Sequence, residues 1–260
     1  MNPPSARPRP AGSSRWPVPR ATVLAAVALV LVAITAATAA TARGGSASRG
    51  GQSRGMSVSA GAVRTVDFQG VPGQLTIVGS VTRRVRLTGE LDWTGRAPIV
   101  MTRLDGRARL LRLWYRCAAA SPCTGNYLLV VPERTAVVVR QPGGHVVLRG
   151  LAGPLRITAS SVDVSAAGLR SASLAAAITS GHLGAVFETP PRRVSVTLTS
   201  AQATLWLPAS AAYCVGQRVV AGFVRVAVPQ SSVSRRKVTV RVTSGELELL
   251  PRVPGTPPPG

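Results

Sequence analysis

The sequence predicts an all-β protein: a single-domain β-solenoid of two-strand repeats about 20 residues long, following one N-terminal transmembrane helix, with an antiparallel β-sandwich as the alternative. Three observations point there. The stretch VTVRVTSGELELL (238–250) alternates apolar and polar residues on both sides of a Thr-Ser-Gly step. Similar stretches recur through the second half of the chain. Apart from Ala and Arg, the residues Val, Leu, Thr, Gly and Pro are prominent in a 260-residue chain that is 45% hydrophobic, a mix that favours strands and turns and can supply a core.

Residues 1–20 form a short basic, Pro-rich tail with Arg7, Arg9, Arg15 and Arg20 and no acidic residue. Residues 21–42 (ATVLAAVALVLVAITAATAATA) carry no charge and are long enough to cross a hydrocarbon core of about 30 Å. The positive-inside rule keeps the tail in the cytoplasm and sends the remainder outward, the topology of a signal anchor. A cleaved signal peptide is the rival, with its greasiest part at Val23 to Ile34 and an acceptable cleavage site at Ala40-Thr41-Ala42. The expected location is therefore the cell membrane, single-pass with an extracytoplasmic C-terminal domain, or else secretion. Residues 43–62 are Gly- and Ser-rich and read as a flexible linker.

The β-strand repeat domain is expected over 63–252. Within it, Cys117 and Cys123 bracket the loop AAASP between two strand-like runs, RLLRLWYR and NYLLVVP, so a disulfide across the loop mouth fits an oxidising compartment. Cys214 is left unpaired, as a buried strand residue. The repeats are VVVRQPGGHVVLRG, LRITASSVDVSAAG, LAAAITSGHLGAVF, VSVTLTSAQATLWLP, QRVVAGFVRVAVP and VTVRVTSGELELLP. With steps at Gly143, Ser160, Ser180, Ser200, Ala221 and Ser244, the spacing is 17 to 23 residues. One such unit cannot bury its apolar face, but rungs stacked about 4.8 Å apart share a core and complete each other's hydrogen bonds. The Pro-rich tail 253–260 cannot continue a sheet and blunts its edge.

These Thr-Ser-Gly steps, the Cys-bracketed loop leading into NYLLVVPERTAVVVR, and the closing VPQSSVSRRKVTVRVTSGELELLP together resemble the bacterial putative-adhesin β-strand repeat family, a domain of unknown function, from about Val63 to Pro251. The resemblance implies an extracytoplasmic repeat scaffold. In that family an Asp follows the step, whereas here the row reads His145, Val162, His182, Gln202, Phe223 and Glu246, so the acidic ladder is expected to be missing.

Motifs for chemistry are sparse. GQSRG (51–55) matches G-x-S-x-G in letters but lies in the linker rather than at a strand-to-helix turn. His145 and His182 hold equivalent places in their repeats and could share a face. The carboxylate pairs Glu90/Asp92 and Glu246/Glu248 are each two apart on one strand face, as solvated turn-edge charges are. No metal or cofactor motif is present, and no enzymatic activity is expected.

The net charge of +22 comes from 30 arginines and Lys237 against nine acidic residues. It attracts polyanions through long-range, salt-sensitive forces. Nucleic acid is not the expected partner, because the arginines are dispersed along strands and ten aromatics are too few for a stacking platform. The expected partners are the membrane, through 21–42, and an anionic wall polymer, lipid headgroups or an acidic protein. Arg83, Arg84 and Arg86, with Arg192, Arg193, Arg235 and Arg236, are the candidate contacts. The expected function is a non-enzymatic, adhesin-like envelope scaffold; a secreted carbohydrate-active enzyme on a β-solenoid and a membrane-anchored envelope sensor are the alternatives.

Overall fold

The computed structural model describes residues 51–61 and 63–253, so the membrane-segment expectation at 21–42 lies outside the described residues. Among the described residues no helix is long and apolar enough to cross a membrane, and none is present at all. The strands, in chain order, are β1 (Gly51–Gly61), β2 (Thr65–Gln69), β3 (Gly73–Ser80), β4 (Arg84–Thr94), β5 (Ile99–Asp105), β6 (Leu110–Arg116) and β7 (Cys123–Pro132). They continue with β8 (Ala136–Arg149), β9 (Leu155–Leu169), β10 (Ser173–Phe187), β11 (Arg193–Pro208), β12 (Cys214–Val219), β13 (Phe223–Val226) and β14 (Lys237–Arg252). All fourteen belong to one mixed sheet.

The repeats form its parallel centre. β8, β9, β10, β11 and β14 are successive neighbours, each paired in parallel with the next. Like residues meet like: Leu155 faces Leu174, Leu174 faces Val194 and Val194 faces Val238, all four buried. A slip of one residue would turn every such column out to water, so the alternation sets the register.

The copies differ from the expected two-strand unit. Five of the six are one strand of 14 to 16 residues that runs through its step and pairs with other copies rather than with itself, and the fifth copy is two short strands that both pair with β14. The local antiparallel pairing that a β-sandwich of hairpins requires is therefore not what joins the repeats. In β9 the alternation breaks at Ser160 and Ser161, two consecutive exposed residues, after which inward residues resume at Val162. The step is thus a corner within a continuous strand. Gly181 and Gly245 take positive φ there, 103° and 127°. A Cβ at either would lie 2.3 Å from the Val162 carbonyl oxygen or 2.0 Å from that of Ala201, so only glycine fits.

Spatial order also departs from chain order. The last copy, β14, lies between β11 and the fifth copy, which is split into β12 and β13. In that edge copy Gln217 stands in register with the buried Val240, in an inward column, and is exposed.

Upstream, β2 and β3 lie along the two halves of β8, and β6 and β7 lie along β2 and β3. β4 adds antiparallel to β7, β1 to β4, and β5 to β6. Gly51 to Gly61, expected as spacer, is the strand β1. Its first half, rich in Gly and Ser, gives no strand signal, but its backbone completes the open edge of β4, and its second half turns Met56, Val58 and Ala60 inward.

Phe68, Tyr115 and Tyr127 pack where β2, β6 and β7 meet, with ring centroids 4.9 to 5.6 Å apart. Burial raises the phenol pKa of Tyr115 and of Tyr127 above its ordinary value. Burial also pushes Tyr213 up to about 12, against the pull of the Arg236 guanidinium, while its hydroxyl donates to the Pro208 carbonyl at 3.0 Å.

Two predictions follow from corners and phenols. Gly245→Ala should cost about 1–3 kcal/mol of stability, whereas Gly216→Ala, with open space around its Cβ position, should stay within about 0.5 kcal/mol in urea denaturation. Above about pH 10 unfolded tyrosines lose protons that the folded protein retains. The unfolded state then binds fewer protons, so stability is intact below that pH and falls as pH climbs toward the folded values. Tyr213→Phe should flatten that decline in a series of denaturation curves.

Candidate functional site

The repeat geometry assembles a basic patch from residues distant in sequence. Arg193 opens β11 directly opposite Lys237, which opens β14. The Lys237 N–H donates to the Arg192 carbonyl at 2.9 Å, and the Cys214 N–H donates to that of Arg236 at 2.8 Å. Backbone ladders thus hold Arg192, Arg193, Arg236 and Lys237 at adjacent levels, all exposed, with Arg235 in the turn just before. Further along the same outward face, Arg241 of β14 stands opposite Arg218 of β12.

None of these seven cations forms an ion pair among the described residues, whereas Arg140 contacts Asp67, Arg170 pairs with Glu133 at 3.0 Å, and Arg225 with Glu248 at 3.4 Å. Like charges on neighbouring strands repel, and an anion spanning two levels relieves that repulsion. Guanidinium groups grip phosphate or carboxylate through paired N–H donors.

The other three candidate arginines do not join this patch. Arg84 and Arg86 are on β4, opposite Gly61 and Ser59 of β1, and Arg83 precedes them in the turn. Six strands separate β4 from β14 along the sheet. Lys237, Arg241 and Arg218 were not singled out in the sequence; their outward parity matches that of Arg193 only once the copies are set in register.

Cys117 and Cys123 are disulfide-bonded with Cα atoms 5.7 Å apart. The bridge joins the residue after β6 to the start of β7, the strands that pair with β2 and β3 beside the two halves of β8. Cys214 is a free thiol, half-buried at the start of β12 rather than fully buried.

The row after the step also changes on registration. Ser161, not Ser160, aligns with Gly143 and Ser180, so the second copy contributes Asp163 where Val162 was expected. The outward column runs His145, Asp163, His182, Gln202, Glu246. The acidic row is therefore partly present, and the two histidines flank a carboxylate. His145 Nδ1 is 3.7 Å from Asp163 Oδ2 and His182 Nδ1 is 3.0 Å from Asp163 Oδ1. His182 Nε2 meets the Gln202 carboxamide oxygen at 3.1 Å, where a hydrolytic triad would place a hydroxyl or thiol.

Ser53 of GQSRG sits in β1 and donates to Glu90 Oε1 at 2.7 Å, so the segment is strand throughout and no nucleophile elbow. Among the described residues no group of three His, Cys, Asp or Glu side chains is arranged to hold a metal ion.

No family model matches this chain, and no curated protein matches it. Among solved structures it is similar to a putative cell adhesion protein from Clostridium sporogenes, with a TM-score of 0.45, 11% identity, 77% of this chain covered and 100% of the other. It is also similar to a putative adhesin from Bacteroides fragilis, with a TM-score of 0.37, 10% identity, 78% of this chain covered and 98% of the other.

Opening the Cys117–Cys123 bridge frees a short loop in the unfolded chain. Cys117→Ser/Cys123→Ser should lower stability by about 2 kcal/mol in non-reducing denaturation curves, and reductant should move the parent protein to the same midpoint.

Proposed function

We propose that this chain is a non-enzymatic, adhesin-like cell-envelope protein whose β domain lies outside the membrane and binds an anionic polymer or surface through the basic patch. One observation carries the reading: Arg192, Arg193, Arg236, Lys237, Arg241 and Arg218 converge from three neighbouring strands with no acidic side chain paired to them among the described residues. Scattered solvating charges would be interleaved with carboxylates, as Arg112, Arg140 and Asp67 are on another rung. We read the parallel run from β8 to β14 as a β-solenoid cornered at its Ser-Gly steps. Such a scaffold repeats charge about every 4.8 Å, close to a ruler for a linear polyanion. Attachment through residues 21–42 would hold the patch near the envelope surface.

Purified protein should be retained on isolated cell envelope and on poly(glycerol phosphate) at low salt, and released steeply as ionic strength rises. Reversal of Arg192, Arg193, Arg236 and Lys237 to Glu should cut retention at least about tenfold, about 1.4 kcal/mol. Reversal of Arg83, Arg84 and Arg86 should leave it within about twofold, about 0.4 kcal/mol. Equal loss from both sets, or no retention at low salt, would show that the charge acts diffusely or not at all.

A further inference from the structure

A second surface, on the outward side of β5, β6, β2 and β8, carries chemistry that a polyanion site does not need. Of the three described tryptophans only Trp114 is exposed, at 43%, and it projects from the middle of β6 instead of entering the core. Its neighbours in register are Met101 on β5 and Gln69 on β2, with Arg140 one strand further. Arg112 and Asp67 form the adjacent row, two residues back along the same strands.

These side chains bound a depression of ≈ 190 Å³ lined by Asp67, Gln69, Arg112, Leu113, Trp114 and Arg140. It is smaller than the roughly 300–1,000 Å³ of drug-sized pockets and suits a single ring.

Its polar rim is half-used. Asp67 Oδ1 accepts from Arg140 Nη1, while Asp67 Oδ2 is 4.0 Å from Arg112 Nε, too far for a direct hydrogen bond. An acceptor and a charged donor thus face each other across a gap that one small group could bridge. A hydroxyl is suited to that gap, because it donates to the carboxylate and accepts from the guanidinium at once. The Gln69 carboxamide beside the indole offers the same dual capacity to a neighbouring hydroxyl. An exposed indole supplies a flat apolar wall for a ring whose own face is C–H.

We propose that this shelf binds a glycan: one pyranose ring lies against Trp114, with vicinal hydroxyls bridging Asp67 and Arg112 and reaching Gln69. The rim carries Arg112 and Arg140 against Asp67, so selection of a neutral ring rests on the Asp67/Arg112 acceptor–donor pair and the indole rather than on repulsion of acids. Binding here is set by stacking and short hydrogen bonds, so it should resist salt, unlike binding at the basic patch. The two surfaces can therefore fail independently.

The test uses the full chain in a zwitterionic, sugar-free detergent, screened on an array of α- and β-linked hexoses, N-acetylhexosamines and uronates. Each oligosaccharide retained is then titrated by tryptophan fluorescence at low and at high salt. The expected result is saturable binding of a neutral oligosaccharide, little changed by salt. Trp114→Ala should weaken it at least about tenfold, and Arg112→Ala should weaken it with the indole still in place. Both sites are exposed, so circular dichroism should match the parent. Retention of no glycan overturns the proposal, as does binding unaffected by Trp114→Ala. Binding confined to uronates and abolished by salt would assign the site to charge, and equal binding of 1-methyluracil, a flat ring without hydroxyls, through Trp114 would assign it to aromatic stacking without hydroxyl recognition.

Discussion

The centre of the sheet depends on parallel, in-register backbone pairing between copies. A long strand that turns a corner has no partner within itself, so its N–H and C=O groups are satisfied only by the strands above and below. The same stacking buries its apolar face, as the column Leu155, Leu174, Val194, Val238 shows. Corners must stack as well, because neighbouring backbones approach there too closely for a Cβ at Gly181 or Gly245. Hydrogen bonding, burial and corner glycines are one constraint seen three ways.

That constraint leaves ends, and the ends are handled by different means. At one, the weakest copy is placed outermost: β12 and β13 are short, carry Gln217 in an inward column and leave Val219, Val220 and Phe223 exposed. The stronger β14, with Val238, Val240, Val242, Leu247 and Leu249 all buried, takes the interior place. At the other end, β4, β1 and β5 pair antiparallel and so do not extend the parallel run.

Stacking also decides what the outer face presents. In a parallel register each outward side chain has neighbours about 4.8 Å away on both sides, so the surface is organised in columns that cross many sequence segments. One column links Asp163, His182 and Gln202 by hydrogen bonds and sets His145 3.7 Å from the same carboxylate. Another sets Arg193 beside Lys237, and a third carries Trp114 next to Gln69. A rigid ladder positions these groups without help from loops, and rigidity favours recognition because little ordering entropy is spent on binding.

By itself the sequence determined the all-β class and the repeat length, because alternation of period two and recurrent small-residue steps are local signals. It also marked the disulfide-forming loop through the short spacing of Cys117 and Cys123. Tertiary structure alone decided which copies are neighbours, since rungs that share one apolar pattern can exchange places without changing that pattern. Spatial order placed β14 before β12, joined Arg193 to Lys237 and separated both from Arg83, Arg84 and Arg86. The strand β1 was hidden for a related reason: a backbone can complete an edge whatever its side chains, and the short alternation Met56, Val58, Ala60 is set in a Gly- and Ser-rich stretch. The register of Asp163 turned on a one-residue difference between copies, which only hydrogen bonding to both neighbours could resolve.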